Sequence, residues 1–126
     1  MSETSPVEIA KNFKLNVLKL IDYLIDILES DSDLLMVRFV VKNLSQTTMI
    51  EKFHRNVQSH RNEIESSNED YFMDVNNTIF DDFGEKVLKF KTFWKKLSND
   101  QQTCIWKYFK YFLRLSDRYN TLVYTV

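Results

Sequence analysis

Phe93-Trp94-Lys95-Lys96-Leu97-Ser98-Asn99-Asp100-Gln101-Gln102-Thr103-Cys104-Ile105-Trp106-Lys107-Tyr108-Phe109 carries both tryptophans of the chain and the punctuation between its last two helices. Ser98 followed three residues later by Gln101 is a capping-box pattern. The serine hydroxyl accepts from the amide at the third helical position, and the glutamine side chain reaches back to the serine amide. Asp100 falls in the first turn, where a negative charge suits the helix dipole. Downstream, Ile105, Tyr108, Phe109, Phe112 and Leu115 recur at helical spacing, with Trp106 and Leu113 widening that side and Lys107, Lys110, Arg114 and Asp117 opposite. Upstream, Val87, Phe90, Trp94 and Leu97 form a similar stripe, with Lys86, Lys89, Lys95 and Lys96 outside it. The pattern predicts a C-terminal hairpin of two amphipathic helices with aromatic rings packed between them. Rings at this spacing are core more often than they are a stacking platform.

Composition extends the helical reading to the whole chain. Its 126 residues, 44% of them hydrophobic, suit one domain with one core and argue against wholesale disorder. There is one glycine and one proline, whereas strand-rich domains need turn glycines and prolines and phosphate-binding loops need clustered glycines. An all-α domain is expected, without a P-loop or a dinucleotide fingerprint. A net charge of −1 gives no global attraction to nucleic acid or anionic membrane. Cys104 is the lone cysteine, so no intramolecular disulfide forms and a reducing, intracellular setting is expected. No signal peptide and no membrane-spanning run is read from the sequence.

Along the chain, residues 1–5 read as a frayed start, with Ser5 an N-cap before Pro6 and Glu8 in the first turn. The first helix is expected to run to about Glu29 on Ile9, Phe13, Val17, Leu20, Ile21, Leu24, Ile27 and Leu28. Ser30-Asp31-Ser32-Asp33 breaks the pattern. Leu34 to Leu44 is apolar nearly all round, which fits a central helix better than a strand, although Val37, Phe39, Val40 and Val41 suit either. Ser45 or Thr47 caps a third helix carrying Met49, Ile50, Phe53, Val57 and Ile64. Residues 65–84 read as an acidic loop pinned by aromatic residues and ended by Gly84 in a left-handed conformation. Thr121 to Val126 reads as a tail or an edge pairing with a partner. The expected architecture is a single irregular bundle of four to five helices, with the acidic aromatic loop before the C-terminal hairpin.

Charge is segregated along the chain. Eight acids and no Lys or Arg lie between Glu63 and Glu85, and nine bases face two acids between Lys86 and Val126. The plainer reading lays the acidic loop across the basic helices; the sharper one offers the basic face to nucleic acid or an acidic partner.

No catalytic constellation emerges. Glu51-x-x-His54 places a carboxylate and an imidazole one turn apart, as in di-iron bundles, but no second such pair exists. His54 and His60 are six apart and fall on different faces, and one cysteine completes no common zinc site. Cys104 reads as a small buried thiol rather than a nucleophile. Asp22 and Asp26 form a one-turn carboxylate pair that reads as solvated surface, not a calcium site. No metal and no cofactor is expected.

Phe53 to His60, Ile64, Asn68-Glu69-Asp70-Tyr71-Phe72-Met73, Phe93 to Leu97, Ile105 to Phe109 and Leu113-x-Leu115-Ser116-x-x-Tyr119 together resemble a group of small, uncharacterised helical proteins of large nucleocytoplasmic DNA viruses of algae and protists. The resemblance covers roughly Phe53 to Tyr119 and rests on hydrophobic helical motifs. It implies a viral protein in infected-cell cytoplasm or nucleus, or in a virion, and carries no catalytic or binding residues with it.

The functional expectation is a non-enzymatic interaction or structural protein acting through protein contacts, itself included as a partner, with Trp94, Trp106, Tyr108, Tyr111 and Tyr119 as candidate interface aromatics. A homodimer through the C-terminal helix is a further expectation. The alternative is nucleic-acid binding by Lys86, Lys89, Lys95, Lys96, Lys107, Lys110 and Arg114. Neither reading involves a membrane.

Overall fold

The computed structural model describes residues 5–28, 32–70 and 94–124. The described residues are 90% helical and contain no strand, which resolves the ambiguity over Leu34–Leu44 in favour of helix. Among the described residues, five helices make an all-α bundle: α1 Pro6–Ile27, α2 Ser32–Asn43, α3 Gln46–Val57, the short α4 Arg61–Glu65, and α5 Asn99–Tyr124. A 3-10 turn, Gln58–His60, separates α3 from α4. Most of the expected acidic loop, Gly84, Lys86, Lys89 and the Val87–Phe90 part of the hairpin lie outside the described residues.

Helix starts follow the local hydrogen-bond chemistry of the sequence. Glu8 N–H donates to Ser5 Oγ at 3.2 Å, with Pro6 opening α1. Thr48 N–H donates to Ser45 Oγ at 3.3 Å, so Ser45 rather than Thr47 caps α3. The capping box before α5 is complete: Gln101 N–H donates to Ser98 Oγ at 3.1 Å, and Ser98 N–H to Gln101 Oε1 at 2.9 Å. Helix α4 ends in a full Schellman motif, with Asn68 N–H donating to Glu63 O and Ser67 N–H to Ile64 O around Ser67 at φ 53°.

Helix α1 is the central element, packing against α2, α3 and α5. It buries Ile9, Ala10, Phe13, Leu20, Ile21 and Leu24. Phe13 sits between two rings, 5.3 Å from Phe53 of α3 and 5.2 Å from Phe112 of α5 by centroids. Trp94 meets Trp106 edge-on at 5.8 Å, and Trp106 meets Phe109 at 6.2 Å. A smaller apolar group, Val57, Ile64 and Leu113, joins α3 and α4 to α5.

Three expectations about the elements need correcting. Helix α2 is peripheral, not central: it lies along α1 and leaves several large apolar residues in water. The third helix does not continue to Ile64: the chain tightens into a 3-10 turn at Gln58–His60, and the Gln58 side-chain amide donates to the His54 carbonyl at 2.7 Å. Thr121 to Tyr124 is neither a tail nor an edge but the last turn of α5. Val123 packs there against the core, and that contact outweighs the β preference of Thr and Val.

Candidate functional site

The aromatic residues proposed for an interface are mostly committed inside the bundle. Trp94 is 3% exposed and Tyr119 6%. The Trp94 indole N–H donates to Glu69, and the Trp94 carbonyl accepts from the Gln102 amide at 2.9 Å. Trp106, Tyr108 and Tyr111 are half-buried against the core, and the Tyr111 hydroxyl accepts from the Asn12 amide of α1 at 2.8 Å. The spacing of Trp106, Tyr108, Tyr111 and Tyr119 put them on the apolar side of α5, which packs against α1.

A polar seam joins α3 and α4 to α5. Arg61 grips Asp117 with two parallel bonds, Nη1 to Oδ1 at 2.8 Å and Nη2 to Oδ2 at 2.5 Å. His54 Nδ1 lies 3.7 Å from the same carboxylate. One turn earlier on α3, Glu51 accepts from the Tyr119 hydroxyl at 2.9 Å. Burial, and then that bond to Glu51, push the Tyr119 hydroxyl above its ordinary pKa, opposed by a bond from Thr47. The bond to Asp117 raises the already high pKa of Arg61. Glu51 and His54 are therefore tied to α5, not idle on the surface as their sequence context suggested. The sequence shows each partner but not the pairing, since Glu51 and Tyr119 are 68 residues apart.

The seam holds no nucleophile. Cys104, half-buried rather than buried, stands beside Tyr23 of α1, whose pKa is raised by burial and then by that thiol. Thirteen residues of α5 separate Cys104 from Asp117, roughly 20 Å of helix. The thiol is thus far beyond bonding reach of the imidazole beside Asp117. Asp22 of the carboxylate pair is engaged by Arg38 Nε at 2.6 Å. Among the described residues, no group of three or more His, Cys, Asp or Glu side chains could hold a metal ion, and no helix is long and apolar enough to cross a membrane.

Of the basic candidates, Lys107 and Arg114 are exposed and Lys110 half-buried; they share one stripe of α5 at i, i+3 and i+7. Lys95 and Lys96 are exposed just before the capping box. These five form the described part of the basic face.

The surface feature that sequence reading missed is α2. It runs antiparallel to α1. The Lys14 ammonium donates to the carbonyls of Lys42 and Leu44 at 2.8 and 2.7 Å, and Arg38 bonds Asp22 eight residues further along α1. Leu34, Val37 and Val41 make its sheltered stripe. The other side carries Leu35, Met36, Phe39 and Val40, which are 48%, 58%, 67% and 50% exposed. Large apolar side chains grouped this way on a monomer's surface mark interaction sites. The available signal was a helix apolar on all sides but too short to be wrapped by a small bundle.

No protein-family model matches the chain, and no curated protein or solved structure matches it either.

Proposed function

We propose that the chain is a non-enzymatic interaction or structural protein, intracellular, working through protein–protein contacts made by the outer face of α2. The viral setting of this proposal rests on the motif resemblance alone. One observation carries the functional reading: Leu35, Met36, Phe39 and Val40 form a continuous apolar face held in water by a helix that lies along α1. Leaving four such residues exposed forgoes burial worth about 1–2 kcal/mol each, a cost that a binding surface recovers on contact. The polar seam supports the same reading, because its ionic groups are spent on one another rather than aimed into a cleft.

The test is affinity capture from cell lysate with nuclease present, comparing the native chain with the double variant Met36→Glu/Phe39→Glu. Both positions are exposed, so the variant is expected to fold. A protein recovered by the native chain at moderate salt and lost by the variant is the expected result. Recovery that the variant retains, or that nuclease abolishes, would refute it.

A second reading, nucleic-acid binding, is favoured by the stripe of Lys107, Lys110 and Arg114. It predicts fluorescence anisotropy binding of a labelled oligonucleotide that weakens steeply with salt, with a slope of about 0.7–0.9 per phosphate engaged. Substituting Lys107 and Arg114 by Glu should abolish such binding and leave protein capture unchanged.

A further inference from the structure

Resting on the nucleic-acid reading above, we infer that the outer stripe of α5 lies against the phosphate rows of duplex DNA and holds them without regard to base sequence. Three observations point to that occupant.

The first is the line of charge. With about 100° between successive residues, Lys107, Lys110, Arg114 and Arg118 fall within about 80° of one another around α5 and span about 16 Å along it. Lys107, Arg114 and Arg118 are exposed and Lys110 is half-buried. Exposed Thr103 and Thr121 extend the same stripe at its two ends, and hydroxyls are further donors to phosphate oxygens. The major groove of B-form DNA is about 12 Å wide, so basic side chains over this span reach both phosphate rows that border it. The helix runs unbroken from Asn99 to Tyr124, so the row of charges is set before any contact is made.

The second is what the neighbouring acids do. Asp117 borders the stripe, and both of its oxygens are taken by Arg61 of α4. Asp100, the other acid of α5, lies seven residues before Lys107, roughly 10 Å away along the axis. Lys107, Lys110 and Arg114 stand in no ion pair with a described acid. Screening limits the reach of exposed charges to about 8 Å at physiological salt, so a phosphate row responds to this stripe rather than to the net charge of the whole chain.

The third is what the stripe lacks. Trp106, Tyr108, Phe109 and Tyr111, the rings of α5 that could stack on unpaired bases, pack against the core instead. A single strand therefore loses the stacking part of its affinity here. A protein interface needs an apolar centre and a lipid surface an apolar side, whereas the stripe from Thr103 to Thr121 carries basic and hydroxyl side chains and no apolar one. An A-form RNA duplex presents a minor groove edged with 2′-hydroxyls, which accept as well as donate; Lys and Arg donate only and match phosphate better.

Fluorescence anisotropy of the full chain over a range of salt concentrations tests the inference. The probes are short labelled DNA duplexes of two unrelated sequences, a matching RNA duplex and a matching DNA single strand. The two DNA duplexes should bind equally, and more tightly than the other probes. The logarithm of affinity should fall with the logarithm of salt at a slope of about 3, from three to four phosphates at about 0.9 each. Lys107→Gln and Arg114→Gln should each lower that slope by about one and weaken binding about five- to tenfold at about 0.1 M salt. Lys19→Gln, exposed on α1 and off the stripe, should change neither. Circular dichroism confirms that each variant remains helical. A single strand or an RNA duplex bound more tightly than duplex DNA overturns the inference and leaves the nucleic-acid reading standing. A preference between the two DNA sequences overturns the sequence-independent contact. Equal losses at Lys19 and Arg114 overturn the stripe as the binding surface. Polyglutamate that displaces the duplex at equal charge concentration overturns it in favour of an acidic protein. No binding of any probe at low salt overturns both the inference and the reading beneath it.

Discussion

Two phenylalanines, changed in the same way, test the architecture at its centre and at its edge. Phe13 is 2% exposed and lies 5.3 and 5.2 Å from the rings of Phe53 and Phe112. Phe13→Ala removes a fully buried ring, leaves a cavity between three helices and breaks two aromatic pairs. The expected loss is about 4 kcal/mol. Since small domains are stable by only about 5–15 kcal/mol, that is a large fraction of the total. Phe39 is 67% exposed. Only a third of its ring is sheltered, worth about 1 kcal/mol at 25 cal/mol per Å². Alanine's better helix propensity returns about half of that, so Phe39→Ala should cost less than about 1 kcal/mol. Urea unfolding followed by helical circular dichroism measures both, at protein concentrations low enough that self-association adds nothing. Equal losses at the two positions would refute the peripheral placement of α2. A loss below about 1.5 kcal/mol at Phe13 would refute the three-ring junction as the centre of the core.

Further expectations concern caps, a buried hydroxyl and a strained turn. Removing both halves of the capping box, Ser98→Ala with Gln101→Ala, should cost about 1–2 kcal/mol, and a double-mutant cycle in urea should show that the two losses are coupled. Tyr119 has its folded pKa raised by burial and by the bond to Glu51, so the fold prefers the protonated phenol. Its contribution is therefore fully present below the unfolded value near 10 and is lost as pH rises through the folded pKa. Tyr119→Phe should cost about 1 kcal/mol at neutral pH and flatten the alkaline decline in urea midpoint; an unchanged decline would contradict that origin. Tyr23 adds a share of the same sign, so flattening should be partial. Ser67 adopts φ 53° at the end of α4, and Ser67→Gly should raise stability by about 0.5 kcal/mol in thermal unfolding, relief of backbone strain exceeding the added chain entropy.

The legible parts of this fold are those made by neighbours in sequence. The caps at Ser5 and Ser98 close over three residues, so residue identity and spacing were enough to place them, whereas the third helix offered both Ser45 and Thr47 and the structure selects Ser45. The stripe of α1 was legible because its polar and apolar residues alternate with helical period. Helix α2 was legible as a helix but not in its orientation: with apolar residues on every side, no stripe says which one faces the core. The polar seam was hidden for another reason. Arg61 and Asp117 are 56 residues apart, and each looks locally like a solvated helix charge. The aromatic residues of α5 were legible as packed rings from their helical spacing, but which element covers them was not, because α1 lies far away in sequence.

The fastening of α2 has a consequence for how the protein comes apart. Its two described polar anchors to α1 are the Arg38–Asp22 pair and the Lys14 ammonium on the carbonyls of Lys42 and Leu44, with Leu34, Val37 and Val41 as a thin apolar strip between. Contacts of this kind are screened by salt, whereas the junction of Phe13, Phe53 and Phe112 is not. The bundle therefore has a seam along which it peels: α2 lifts off as a unit while α1, α3 and α5 hold. Amide hydrogens of α2 should exchange well before those of α1, and earlier still as ionic strength rises.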